Sequence, residues 1–235
     1  DSAARRLLVL GLLLAWCGFL IVARWAWSGQ PQFRFLVWNL LLAAIPAFAS
    51  TQLGRAARAR AHAAAQIAWF ALWLLFLPNA PNIVTDLIHL RPRPPVPFWF
   101  DVALFASCAS TGLMLGYAST AEVQRVVAAR FGAVVSWIVA SGALVLSGFG
   151  IYVGRFLRWN SWDVVSRPGA LLGQLGDRLF DPGGHPRTVA VTFVYGVGLV
   201  LGYLALRAIA HTDPTPQGGP PHPHEHANEG NRHDR

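Results

Sequence analysis

The residues best suited to chemistry follow the third apolar run of the sequence, between positions 75 and 90. This stretch holds five side chains that form hydrogen bonds or carry protons: Asn79, Asn82, Thr85, Asp86 and His89. Asp86 and His89 are three residues apart, so they share one face of a helix. A carboxylate beside an imidazole can transfer protons or bind a metal ion. We predict Asp86 and His89 as catalytic residues, and Asn79 and Asn82 as ligand-binding residues.

Two further polar, aromatic-rich motifs stand at the ends of apolar runs. The motif at residues 99–101 opens the fourth run, and its Asp101 is predicted as a third catalytic residue or metal ligand. Residues 148–163 close the fifth run and contain four predicted ligand-binding residues: Arg155, Arg158, Asn160 and Asp163. Guanidinium groups bind phosphate and carboxylate groups through paired hydrogen bonds. The three motifs together predict a site for an anionic group.

Each motif also has a purely structural interpretation. Asp101 can cap a helix or complement its dipole. Arg155 and Arg158 can extend to lipid headgroups, and Asp86 with His89 can stabilise a turn at the membrane interface. These alternatives stay open on the sequence alone. Three such motifs on one face favour a functional site, because half-buried polar groups are costly without a partner or a role.

No cofactor can be identified from the sequence, and a metal site stays undetermined. The tail segment at residues 222–226 has three alternating histidines, which we interpret as incidental composition because no rigid fold surrounds them. Cys17 and Cys108 both fall inside apolar runs. This position predicts small packing residues, and it argues against a disulfide framework.

The elements that must position these motifs are membrane-spanning helices. The chain is 54% hydrophobic and only 13% charged, whereas a soluble domain carries about 25% charged residues. The charges lie between long apolar runs, which is typical of segments that meet lipid on all sides. The net charge of +8 comes from arginines in loops beside these runs. Contact with the lipid bilayer explains them better than nucleic acid, which we exclude as a partner.

Six apolar runs predict an all-α, polytopic transmembrane helix bundle of about six spans. They cover Leu7–Ala23, Phe35–Ser50, Ala63–Leu77, Phe98–Ala118, Phe131–Val153 and Thr188–Leu206. Pro46 should kink the second run, and Pro78 should stop the third, which we expect to continue as a broken helix towards Ile88. The connection between runs four and five should be a short linker. We read the first run as an uncleaved span, because bulky residues occupy the place of a cleavage site.

Two long segments outside the apolar runs have structures that can be predicted separately. The fifth loop, residues 154–187, contains leucines at helical spacing that predict a short helix in the plane of the membrane interface. The tail from residue 211 is rich in Pro, Gly and His and should be disordered. We therefore predict a transmembrane helical domain over residues 1–210 and a disordered tail over residues 211–235.

The order of the runs places the three motifs on one side of the membrane. The third run ends, the fourth begins and the fifth ends on the same face, whichever way the chain is oriented. Apart from the long fifth loop, eight arginines lie on the side of the N-terminus and four on the other. The excess of arginine predicts that the N-terminus and the C-terminus are cytoplasmic.

The three motifs resemble those of a family of predicted bacterial membrane proteins, domain-of-unknown-function family 1361. The likeness lies in residues 77–90 (LPNAPNIVTDLIHL), 99–101 (WFD) and 154–163 (GRFLRWNSWD), and it extends from about residue 20 to residue 210. Asn82 stands where the resemblance leads us to expect an aromatic residue, which affects only local packing. The resemblance implies a multi-pass protein of the bacterial inner membrane. It implies no activity, because none is established for the family.

We therefore predict an integral membrane protein of unknown biochemical activity with a polar site on its extracytoplasmic face. The site would bind an anionic lipid or glycan headgroup. One alternative is a non-catalytic scaffold that docks partners through the helix of the fifth loop. Another is a small transporter component, with runs two and three lining its path. The sequence determines neither whether the protein is an enzyme nor its oligomeric state.

Overall fold

The computed structural model describes residues 2–157, 159, 166–181 and 183–210. In this part of the chain the structure is helical and contains no strand, and five helical stretches are long and apolar enough to cross a membrane. The prediction of an all-α helix bundle is therefore confirmed. The elements are α1 (Ser2–Ser28), α2 (Arg34–Arg58), α3 (Ala63–Phe76), α4 (Asn79–Asn82), a 3-10 helix (Ile83–His89), α5 (Phe98–Arg155), α6 (Pro168–Phe180) and α7 (Pro186–Ala210).

Helix α5 contains both the fourth and the fifth apolar run and reverses direction at Gly132. The backbone there has φ 86° and ψ 171°, a conformation that is almost exclusive to glycine. We call residues 98–131 the first limb of α5 and residues 133–155 the second limb. Tyr117 of the first limb and Leu144 of the second belong to one buried cluster. The two limbs therefore lie side by side and run in opposite directions.

We predicted a short linker between runs four and five, and this prediction is wrong. Residues 119–131 continue the first limb as helix, because this stretch has no glycine or proline and is rich in good helix formers. At 1.5 Å per residue the first limb is about 50 Å long. This exceeds the ~30 Å hydrocarbon thickness of a bilayer, so the limb extends beyond the apolar layer.

The third apolar run is broken at Pro78, as the sequence predicts. Proline cannot donate the hydrogen bond that would continue α3. The carbonyl of Phe76, the last residue of α3, accepts a bond of 3.0 Å from the side chain of Asn79. The chain then forms α4 and the 3-10 helix. Gly150 of the second limb faces the break so closely that a Cβ there would lie 2.5 Å from the Pro78 ring. The broken helix is thus packed directly against α5.

The core is apolar apart from a few buried polar side chains. Cys17 of α1 and Cys108 of the first limb are both buried and free, and the Cys17 sulfur lies 3.2 Å from the Thr111 hydroxyl. Trp73 of α3 is fully buried, and its indole donates to the Ser119 hydroxyl over 3.2 Å. Helix α1 shares the largest buried cluster with α2 and the first limb, so it is an integral part of the bundle.

The two ends of the bundle differ in their polar contacts. At the end where α1 begins, Glu122 forms ion pairs with Arg6, Arg58 and Arg125; we call this the Glu122 end. At the opposite end, which we call the Asp86 end, the ion pairs are those of Asp86 and Asp101. A helix is present in the fifth loop, as predicted, namely α6. The predicted disordered tail, residues 211–235, lies outside the described residues.

Candidate functional site

Asp86 is the centre of a polar cluster built from three helices. The 3-10 helix carries Asp86, whose side chain is 2% exposed. Asn39 of α2 donates to its Oδ2 over 2.6 Å, and Arg155, in the last turn of the second limb, donates to its Oδ1 over 3.3 Å. Arg155 also donates to the Thr85 carbonyl over 3.1 Å. The buried carboxylate is therefore paired with a cation and hydrogen-bonded through both oxygens, as burial of a charge requires.

His89 extends this cluster to the surface. Side chains three residues apart in a 3-10 helix are eclipsed, so Asp86 and His89 lie on the same face. The Nε2 atom of His89 is 2.9 Å from an Nη atom of Arg155. Because a guanidinium only donates, this Nε2 must accept, which leaves the proton of a neutral ring on Nδ1. The ring also meets Phe35 edge-on at 5.5 Å. His89 is exposed and is held as a potential proton acceptor or donor at the surface.

A groove of about 470 Å³ opens beside this cluster, between α2, the broken third run and the second limb. Its polar end is lined by Asn39, Asn79 and Asn82, of which Asn39 also binds Asp86. Its other end, deeper along the helices, is lined by leucines. Trp159 and Leu175 of the fifth loop close one side, and the indole of Trp159 donates to Gln174 over 2.9 Å. This volume is in the range of sites for small ligands.

Three arginines lie near one end of the groove. Arg155 is one quarter exposed, and Gly154 beside it lines the groove. The guanidinium of Arg167 lies 5.1 Å from the ring centre of Trp159, and that of Arg187 lies 4.3 Å from the ring centre of Phe156. Stacking on an aromatic ring leaves the positive charge of a guanidinium in place. Guanidinium groups, which can bind anionic groups, therefore lie near this end of the groove.

Asp101 does not join this cluster. Its carboxylate is fully buried and receives two hydrogen bonds from Arg24 of α1, at 2.6 Å and 3.3 Å. Arg24 donates a third bond to Gln32 over 3.0 Å. Both partners are buried, so solvent and ligands have no access to them. The arrangement ties the end of α1 to the start of α5, and it separates Asp101 from Asp86 and His89.

The other predicted site residues fall into two groups. Asn79 and Asn82 line the groove. Arg158, Asn160 and Asp163 lie outside the described residues, and their predicted part in ligand binding stays a prediction. Within the described ranges, no group of three or more His, Cys, Asp or Glu residues is arranged to hold a metal ion.

Two residues of these clusters were not assigned to a site from the sequence, although each carried a signal. Asn39 is a strongly polar side chain inside an apolar run, which is costly without a partner, and its partner is Asp86. Arg24 lies near the end of the first helix, where we attributed it to membrane orientation, but it is 1% exposed and pairs with Asp101. Neither partner could be chosen without knowing which helices are neighbours.

The profile of one protein family, described as Protein of unknown function (DUF1361), matches residues 38–201. The match begins within α2 and ends within α7, so it contains the groove and the Asp86 cluster, and α1 precedes it. No curated protein and no solved structure matches the chain significantly.

Proposed function

The chain belongs to the DUF1361 family of proteins of unknown function, and we propose that it binds an anionic amphipathic molecule in the groove. The molecule would be an anionic lipid or a lipid-linked glycan. Its polar headgroup would lie at the asparagine end, and its apolar chain would lie along the leucines. We propose no reaction for this site.

The polarity gradient of the groove supports this function. Trp38 and Asn39 lie near the start of α2, at the Asp86 end, whereas Leu42 lies one turn deeper. Along the broken third run the order is the same, from Asn82 at the end to Leu74 within α3. A lipid has the same gradient, because its headgroup lies at the interface and its chains lie in the hydrocarbon. Tryptophan is also favoured at that boundary.

The charge at the mouth favours an anionic headgroup. Arg155 is balanced by Asp86, so the pair is neutral, but Arg187 adds positive charge beside the ring of Phe156. Arginine binds phosphate through two parallel hydrogen bonds. The amides lining the groove can both donate and accept, which suits the phosphate or hydroxyl groups of a headgroup.

We further propose that the Asp86 end faces away from the cytoplasm of a bacterial inner membrane. The support is the excess of arginine at the Glu122 end when the long fifth loop is left out of the count, since positively charged short loops stay on the cytoplasmic side. In this orientation the groove would take lipid from the outer leaflet of that membrane.

The test blocks the apolar part of the groove by a large side chain. Leu146 lines the groove and is half-exposed, so Leu146→Trp fills the groove without disturbing the core. Ile138→Trp is the matched control, because Ile138 is an exposed aliphatic residue of the same limb that does not line the groove. Binding of phosphatidylglycerol to the purified proteins is measured by native mass spectrometry, with phosphatidylcholine as the zwitterionic competitor of zero net charge.

We expect the unmodified protein and Ile138→Trp to retain phosphatidylglycerol in preference to phosphatidylcholine. Leu146→Trp should weaken this binding at least about tenfold, equivalent to about 1.4 kcal/mol. Equal retention of phosphatidylglycerol by Leu146→Trp and Ile138→Trp would show that the groove is not the lipid site. If the unmodified protein showed no preference for phosphatidylglycerol and Leu146→Trp lost both lipids equally, the proposal of an anionic headgroup would be refuted.

A further inference from the structure

A second cavity lies at the Glu122 end, whereas the groove opens at the Asp86 end. It has a volume of about 420 Å³ and lies between the turn from α2 to α3 and the last turns of the first limb. Three polar side chains line it, namely Arg60, Gln66 and Arg130. Every other lining residue is an alanine or a valine. The small side chains leave the space open, and the long ones supply its chemistry.

Arg130 is held in place at the edge of this cavity. Gln66 donates from its Nε2 to the Ala61 carbonyl over 2.9 Å, and its Oε1 accepts from Arg130 over 3.4 Å. The guanidinium of Arg130 also lies 5.4 Å from the centre of the Phe131 ring. These contacts use one guanidinium nitrogen and one face of the group. Arg130 therefore keeps donors available while its position is fixed.

The two arginines of the cavity have no carboxylate partner in the part of the chain that the structure describes. The only carboxylate described at this end is Glu122, which already pairs with Arg6, Arg58 and Arg125. Arg60 forms no ion pair within the described residues. It is exposed, and its backbone has φ 50°, which a non-glycine residue adopts rarely. Within the described residues, two cations that form no ion pair thus line one cavity.

We propose that this cavity binds a phosphate group, with Arg60 and Arg130 as the anion-binding residues. Two guanidinium groups supply paired donors and the charge that a phosphate requires. The cavity lies where α2 ends and α3 begins, at the level at which headgroups meet a membrane helix. The phosphate can therefore belong to a lipid headgroup or to a soluble phosphate compound. The proposal is independent of the groove, which lies at the other end of the bundle.

The experiment compares two double variants with the same loss of charge. Arg60→Gln combined with Arg130→Gln removes both cations of the cavity. Arg5→Gln combined with Arg55→Gln removes two exposed cations at the same end that do not line it. Binding to each purified protein in an uncharged detergent is measured by isothermal titration calorimetry. The probes are inorganic phosphate, short-chain phosphatidylglycerol and short-chain phosphatidylcholine.

We expect the cavity double variant to lose at least about tenfold in affinity for a phosphate probe, and the control double variant to stay within about twofold of the unmodified protein. Ala129→Leu keeps every charge and narrows the cavity, and it should lose affinity as well. Binding of inorganic phosphate identifies a soluble phosphate ligand, and binding of phosphatidylglycerol alone identifies a lipid headgroup. Equal weakening in the two double variants, unchanged binding in either cavity variant, or no binding of any probe overturns the proposal.

Discussion

Removal of the Asp101 carboxylate is the most informative perturbation of this fold. Arg24 and Asp101 are 1% and 0% exposed, and they share hydrogen bonds of 2.6 Å and 3.3 Å. The Nη1 atom of Arg24 is buried and has no hydrogen-bond partner. Among the described residues, Asp101 is the one carboxylate that forms an ion pair with Arg24. In Asp101→Ala a guanidinium charge remains in the core, with Gln32 as its one described hydrogen-bond acceptor.

The expected cost of Asp101→Ala is about 3–5 kcal/mol of unfolding free energy, which is typical when one partner of a buried ion pair is deleted. Arg24→Met should cost a similar amount, because it leaves the carboxylate of Asp101 uncompensated. The double variant removes both charges together. It should be more stable than either single variant, because the desolvation cost of the ions is removed along with their attraction.

The assay is equilibrium unfolding of the purified variants in mixed detergent micelles, followed by tryptophan fluorescence. The coupling energy is obtained from the double-mutant cycle of Arg24→Met and Asp101→Ala. Arg93→Met is the matched control. Arg93 is exposed, and its guanidinium lies 5.0 Å from the centre of the Phe33 ring, which Arg24 also contacts at 5.4 Å. An exposed cation–π contact is worth about 0.5–1 kcal/mol.

Strictly additive effects in the double-mutant cycle would refute this reasoning. Additivity would mean that Arg24 and Asp101 stabilise the protein separately, through partners other than each other. A cost of Asp101→Ala no larger than that of Arg93→Met would also contradict the burial of an uncompensated charge.

Three further predictions concern single residues. Gly132→Ala should cost about 1–3 kcal/mol through backbone strain alone, since a Cβ at that position meets nothing within 4 Å; thermal unfolding measures the loss, and an unchanged midpoint contradicts it. Gly148→Ala should cost about 1–3 kcal/mol, because its Cβ would lie 2.7 Å from the backbone of α7, whereas Gly142→Ala, with open space, should be neutral or stabilising; equal melting temperatures for the two would refute the close crossing. Asn39→Leu should lower the free energy of unfolding by about 1.5–3 kcal/mol, because it removes a charged hydrogen bond of buried Asp86. Chemical unfolding measures the loss, and an unchanged free energy of unfolding would show that the bond contributes nothing.

The apolar architecture is largely predictable from the sequence. A helix must place about 20 apolar residues in the hydrocarbon, and apolar runs of 15 to 23 residues mark the six segments. The break at Pro78 is equally local, because it follows from the missing N–H of proline. The prediction of a linker between runs four and five was wrong because it was based on hydropathy. Hydropathy marks where a helix leaves the lipid, but the helix itself continues until a residue such as Gly132 permits the chain to reverse.

The polar clusters are predictable only in part. Chain order places the ends of runs three and five on one face, and the structure indeed brings Asp86 and His89 to Arg155, a residue 69 positions after Asp86. The same reasoning grouped Asp101 with them. Which cation Asp101 meets depends on the lateral arrangement of helices, and that arrangement places α1 and Arg24 beside it. The groove depends on the same packing, together with the position of α6, so no local pattern indicates it.

The reversal at Gly132 also determines the parity of the fold. An uninterrupted α5 of 58 residues would be about 87 Å long, close to three times the hydrocarbon thickness of a bilayer. Because the chain turns back, the described residues contain an even number of apolar helical limbs, and α7 ends at the same end of the bundle as the start of α1. Without the turn the number would be odd, and the segment after Ala210 would exit on the other face. The reversal at Gly132 brings Arg155 close to Asp86, and it also determines the face at which the chain leaves the bundle after Ala210.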